Sequence, residues 1–185
     1  DLTNLYRDEM SIINQWIKNA DLNYMVPLHE KDDHNYDLDC RLLKRYFTRG
    51  SFKSGGRLFG GFWQQMKKVH RENLLIDGDE IVSLDYSQMS PKILYGYCGS
   101  VPKVDDCYHI KGYEYCRKGI KKVFNAMTFS NEPMTRFPKG INSLFPVNTR
   151  FKDVSDAIEK EHFRIAHMFY TGIGHYLQFL ESQIL

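Results

Sequence analysis

The stretch Ile81-Val82-Ser83-Leu84-Asp85-Tyr86-Ser87-Gln88 decides how the chain is read. Its apolar, β-forming first half predicts a strand that carries one carboxylate, Asp85, to its C-terminal end. Just upstream, Leu74-Leu75-Ile76-Asp77-Gly78-Asp79-Glu80 sets Asp-Gly between apolar runs, a strong hairpin signal. Downstream, Ser90-Pro91 opens a helix expected from Pro91 to about Tyr97, with proline at its favoured first position. The order is hairpin, strand-end Asp, helix. An Asp whose backbone is fixed by a sheet can hold a divalent cation, because its oxygens stay at the rim. The commoner reading of such a residue is a turn former that caps the next helix.

A chain of 185 residues, 42% hydrophobic and 26% charged, suits one domain or a compact two-lobed one with a real core. Its 12 Tyr and 12 Phe can serve either a core or stacking surfaces. The net charge of only +2 excludes a globally basic nucleic-acid binder, so any such surface has to come from local clustering. No apolar run reaches the length of a membrane span and no signal peptide opens the chain. Cys40, Cys98, Cys107 and Cys116 fit neither a CxxC metal site nor a dense disulfide framework. They read as reduced, partly buried thiols of a cytosolic protein. Zinc held by Cys107 with His109 is the weaker alternative. The chain starts at Asp1 without Met and stops at Leu185 inside a helical pattern, and so reads as a piece of a longer one.

Along the chain, residues 1–20 and about 37–48 carry apolar residues at helical spacing and are expected to be helices. Between them His29, Glu30, Asp32, Asp33 and His34 form a polar stretch that could hold a metal but reads first as a solvated loop. Residues 49–65 interleave five glycines with basic and aromatic side chains. That mixture suits close approach to a phosphate backbone with base stacking, and equally an ordinary glycine-rich loop. A helix is expected from about Tyr113 to Phe129, its core face made by Ile120, Val123, Phe124 and Met127. Beside that face run Arg117, Lys121, Asn125 and Thr128, with Lys118 and Lys122 at the edge. Two cations one turn apart can grip a polyphosphate, although a solvated basic face is the commoner cause of such a stripe. Residues 130–152 predict a long irregular segment of the kind that often belongs to a mobile functional element. A helix from about Asp153 to Tyr170, then Gly172 and Gly174, then a final helix complete the chain.

Taken in order, these pieces resemble the polymerase domain of family A DNA polymerases, and especially its short phage and prophage relatives, over about residues 50–185. Val82 to Gln88 is similar to that family's first palm motif. The likeness implies that Asp85, with the Tyr86 carbonyl, binds catalytic Mg2+. Gly56-Arg57-Leu58 resembles a segment that touches the primer–template duplex, and Gln64-Gln65 sits where the family has a Gln-Asn pair. Arg117 and Lys121 match the fingers helix that holds the incoming triphosphate. Gln178 resembles the glutamine of the helix that returns to the palm.

The resemblance implies an α+β fold, mostly helical overall, with an antiparallel palm sheet and helical fingers. It divides the chain into an N-terminal helical segment (1–49), a palm portion (50–99), a fingers-like region (100–177) and the start of a returning helix (178–185). The implied activity is template-dependent nucleotide transfer to a primer 3′-OH in the cytoplasm, the host's for a phage. Its partners would be DNA and nucleoside triphosphates, with no membrane. Three departures accompany it. Ser90 stands where the family has a Glu that blocks a ribose 2′-OH, which predicts weaker sugar discrimination. Asn125 stands at the stacking aromatic's position, with Phe129 one turn on, or else Lys118 and Lys122 face the phosphates. No His-Asp hairpin supplies the second carboxylate that two-metal transfer needs. A nucleic-acid-binding module derived from a polymerase, without catalysis, is therefore the alternative.

Overall fold

The computed structural model describes residues 1–25 and 36–184, so the stretch holding His29, Glu30, Asp32, Asp33 and His34 lies outside the described residues. The architecture is α+β. Its helices are α1 (Leu2–Asn19), α2 (Lys68–Arg71), α3 (Met89–Tyr97), α4 (Arg117–Phe129), α5 (Phe151–Glu161) and α6 (Gly174–Ile184). Its strands are β1 (Leu22–Tyr24), β2 (Lys44–Thr48), β3 (Ser51–Phe59), β4 (Leu74–Ile76) and β5 (Asp79–Glu80). The chain divides into two compact units, Asp1–Phe47 with Gly56–Asp85, and Thr48–Gly55 with Tyr86–Leu185. Among the described residues no helix is long and apolar enough to cross a membrane.

In the first unit, Asp1 caps α1 by accepting from the Thr3 N–H. An antiparallel sheet of order β1-β4-β5 follows. Its hairpin turns at Asp77-Gly78, both with positive φ (54° and 87°), as the Asp-Gly signal requires. Arg41 ties the unit together with its whole fork, donating to the carbonyls of Leu38 (2.6 Å), Ala20 (2.9 Å) and Leu22 (3.2 Å). One side chain thereby satisfies three backbone acceptors.

Four expectations are corrected here. Residues 37–48 are not a helix: Lys44–Thr48 is β2, joined to β3 by the two-residue loop Arg49-Gly50. Both loop residues have positive φ (55° and 62°), the backbone that matches strand twist in a tight hairpin, and this decides for strand. The glycine-rich stretch is accordingly β3, not a loop. Gly60, just past its end, has positive φ, and a Cβ there would run into the Leu42 carbonyl oxygen.

The second correction is the strand expected to deliver Asp85. Residues 81–86 have no regular structure. A strand exists only by pairing, and β4 already has β1 on one edge and β5 on the other (Ile76↔Asp79, Leu75↔Glu80). Past Ile81 the side chains of Val82 and Leu84 are 81% and 90% exposed. The third is the helix expected from 153 to 170, which ends at Glu161 and gives way to turns and a short 3-10 segment, Ala166–Met168. The fourth is the start of α3: Met89 and Ser90 precede Pro91 in its first turn, where a missing N–H costs nothing.

The second unit is built around α4. Ile120, Val123, Phe124 and Met127 are all fully buried, one helical stripe packed on Leu94 of α3, Val154 and Ile158 of α5, and Leu177 of α6. Burying that stripe contributes roughly 6–12 kcal/mol at about 1.5–3 kcal/mol per side chain. Gly119 is helical because the Phe145 ring takes its place: a Cβ would lie 2.7 Å from that ring. Residues 130–150 are irregular as expected, but they are anchored, with Ile141 and Phe145 buried and Phe137 stacked on Phe145 at 5.0 Å. Apolar anchoring replaces the mobility that length alone predicts.

A histidine sits inside this core, where Thr128 and Ser155 are buried too. His162 is 1% exposed; its Nδ1 accepts from the Tyr95 hydroxyl and its Nε2–H donates to the Cys107 carbonyl, each at 2.8 Å. These two bonds fix one neutral tautomer. Burial holds its pKa below the ordinary 6.5. The unfolded chain therefore binds a proton near pH 6.5 that the folded chain refuses, so stability is full above that pH and falls as pH drops below it. The melting temperature of this unit is expected to decline from pH 7.5 to 5. His162→Gln, less stable at neutral pH, should show a flatter profile. An equally steep profile in the variant would assign the titration elsewhere.

Candidate functional site

The residues singled out by sequence divide between the two units. In the first, Asp85 is exposed and lines a cavity of about 800 Å³ whose walls include Trp16, Ile17, Phe62, Leu74 and Ile81. That volume is in the range of small-molecule sites. Lys68 and Arg71 of α2 put cations on the same cavity. The Asp85 carboxylate makes no hydrogen bond or ion pair among the described residues. Arg57 is exposed on β3. Gln64 is engaged at home: its Oε1 accepts from the Gly60 N–H and its Nε2 donates to the Leu58 carbonyl, both at 2.9 Å, closing the turn after β3. Gln65 beside it is exposed.

In the second unit the cations come together. Arg117 and Lys121 are exposed on successive turns of α4, with the Arg117 guanidinium carbon 5.4 Å and the Lys121 Nζ 5.9 Å from the centroid of one ring, Tyr108. A ring face attracts cations, so Tyr108 is a common floor for both. Lys118 and Lys122 are exposed and do not share that ring. Tyr108 thus groups Arg117 with Lys121.

Sequence reasoning missed the groups that surround this pair. Asp106 accepts from Arg117 Nε at 2.5 Å on Oδ2 and from Nη2 at 3.2 Å on Oδ1, a bidentate pair, while Oδ1 also takes the Tyr108 N–H at 3.0 Å. The hydrogen bond from Arg117 holds the Asp106 carboxyl below its ordinary range, and Asp106 in turn raises Arg117. Gln88 fixes the loop that carries Asp106: its Oε1 accepts from the Cys107 N–H (2.6 Å) and its Nε2 donates to the Asp105 carbonyl (3.0 Å). Gln88 has positive φ (57°), a conformation its two bonds offset. No periodicity links residues 88, 106 and 117, so no sequence pattern pointed to their meeting.

The remaining predicted residues are placed less openly. Asn125 is half-buried one turn beyond Lys121, and among the described residues its Oδ1 is the one buried side-chain polar atom without a hydrogen-bond partner. Such an atom costs about 1–3 kcal/mol unless a ligand or water satisfies it. Phe129 packs its ring edge-on to His175 at 4.9 Å and over Gly174, where a Cβ would meet it at 2.8 Å. Its face is committed to α6. Ser90 is half-buried in the first turn of α3, and Gln178 is half-buried on α6 beside buried Leu177.

Mg2+ takes one or two carboxylates with substrate phosphates and waters, and the exposed Asp85 is one carboxylate of that kind. Among the described residues no three His, Cys, Asp or Glu side chains gather into a metal cluster; Glu72 lines the same cavity as Asp85. The zinc alternative at Cys107 and His109 is likewise without a ligand set there, and the four cysteines are free thiols. No protein-family model, no curated protein and no solved structure matches this chain.

Proposed function

We propose that this chain carries the triphosphate- and magnesium-binding groups of a template-dependent nucleotidyltransferase of the family A DNA polymerase type. The observation that carries the reading is the pair Arg117 and Lys121, exposed one turn apart over Tyr108. Phosphoryl transfer asks a protein chiefly for positioning and charge stabilisation, and two fixed cations supply both to a triphosphate. Asn125, one turn beyond Lys121 and with an unsatisfied oxygen, would face the nucleoside. Asp85 and the Tyr86 carbonyl would hold Mg2+, which when bound neutralises charge on the phosphates and polarises the reacting phosphorus. Arg57 on β3 would contact the nucleic-acid backbone, with Gln65 beside the turn that Gln64 closes. Ser90, smaller than the family's Glu, leaves the sugar's 2′ position less crowded.

Titration with a fluorescent deoxynucleoside triphosphate tests this directly. Arg117→Ala and Lys121→Ala are each expected to weaken binding about tenfold or more, since a charge-assisted hydrogen bond is worth about 1.5–3 kcal/mol. Binding unchanged in both variants would overturn the reading. The exposed basic side chains of α4 fit one other reading, a nucleic-acid-binding module without catalysis. That module binds DNA with a steep salt dependence and gains no nucleotide affinity from Mg2+.

A further inference from the structure

Arg117 is not a bare cation. Asp106 occupies its Nε–H and one Nη2–H, leaving Nη1 and the outer Nη2–H for a ligand. The carboxylate is held where it is by the Tyr108 N–H, and its loop is braced by both ends of the Gln88 amide. The pair is accessible, with side chains 51% and 32% exposed, so an anion from solution can reach it. Two positive charges and one negative leave the cluster a net charge of +1.

We propose that Asp106 is a resident counter-anion that sets the affinity threshold of this site, closing Arg117 in the free protein and yielding it to a polyphosphate. The inference rests on the reading of α4 as a triphosphate grip. A tethered carboxylate competes at an effective concentration in the millimolar range, without paying the entropy of association. Orthophosphate exchanges one anion for another on Arg117 and gains little. A polyphosphate reaches Lys121 as well, roughly 6 Å further along the helix at about 1.5 Å per residue, and so overcomes the carboxylate. Every anion meets the same penalty, and only those that grip both cations stay bound at ordinary concentrations. Asp106 is thus a positioning and specificity residue rather than a catalytic one.

Calorimetric titration with inorganic tripolyphosphate tests this, using D106N, R117A, K121A and the double variant D106N/R117A. The amide of D106N keeps an oxygen for the Tyr108 N–H but loses the charge and the paired acceptors that hold Arg117. Its binding is expected to be three- to tenfold tighter than wild type, with the melting temperature unchanged. In the R117A background the same substitution should bring no gain, because the competitor acts through that guanidinium. D106N binding that is weaker or unaltered overturns the proposal while R117A still weakens the grip. A gain that persists without Arg117 overturns it too, reducing Asp106 to diffuse repulsion. If R117A and K121A bind as wild type does, it is the triphosphate reading itself that fails.

Discussion

Phe124→Ala is expected to destabilise the second unit by about 3–5 kcal/mol, the range for truncating a fully buried phenylalanine. Phe124 is 0% exposed and stands at the centre of an aromatic cluster: Tyr108 at 5.9 Å, His162 at 5.3 Å and Phe169 at 5.2 Å, all edge-on. Such pairs add about 0.5–1.5 kcal/mol each beyond area burial, and α4 cannot collapse into the void without moving its own stripe. Phe124→Leu, which refills most of the volume, should cost much less. Both tryptophans, Trp16 and Trp63, belong to the first unit, so their fluorescence is the wrong reporter. Amide exchange along α4 and α5, followed as a function of urea, reads the second unit itself. A functional consequence follows from the packing. Tyr108 rests on Phe124 and forms the floor under Arg117 and Lys121, so the variant should weaken triphosphate binding even at temperatures where it stays folded. A loss below about 1 kcal/mol would mean that the cluster repacks and that the floor does not depend on it.

The same residues show why some of this fold was legible in the sequence. Ile120, Val123, Phe124 and Met127 recur at the spacing of one helix face, and a stripe that regular has one burial solution. Asp77-Gly78 specifies a tight turn by backbone sterics alone, and it forms. Residues 37–48 went the other way. Leu38, Leu42, Leu43, Tyr46 and Phe47 fit a helical period, yet a short apolar set is ambiguous, and the tight turn at Arg49-Gly50 with β3 beyond it recruits Lys44–Thr48 as a partner. Residues 81–86 have strand composition but no neighbour among the described residues to pair with, and composition cannot provide one. The candidate site divides on the same line. The i, i+4 cations could be read off the chain. Asp106, Tyr108 and Gln88 could not, since their meeting depends on how an irregular loop folds back onto α3 and α4. His162 was equally hidden, because its partners Tyr95 and Cys107 lie 67 and 55 residues away.

Asp85→Asn is expected to lower magnesium-dependent primer extension about 10³-fold or more, while leaving magnesium-free tripolyphosphate binding at Arg117 and Lys121 unchanged. The substitution preserves size and removes one unit of charge from the carboxylate proposed to hold the ion. A metal's stabilisation of charge in phosphoryl transfer amounts to several kcal/mol, and at about 1.36 kcal/mol per factor of ten a loss of roughly 4 kcal/mol gives that rate effect. Stability should hardly change, because Asp85 is exposed and bonds to nothing among the described residues, unlike the acids that cap and brace the fold. The contrast with Arg117→Ala separates two contributions: the arginine variant should show its defect in triphosphate affinity, the aspartate variant in the chemical step. Three results decide between the readings. Extension lost in Asp85→Asn but retained at a reduced level in Arg117→Ala supports the transferase. Extension at the wild-type rate in Asp85→Asn removes Asp85 from the reaction and the first-motif assignment with it. No extension by the unaltered chain, together with DNA binding that weakens steeply from 50 to 200 mM salt and ignores Mg2+, selects the binding module, in which Asp85 is only an exposed turn acid.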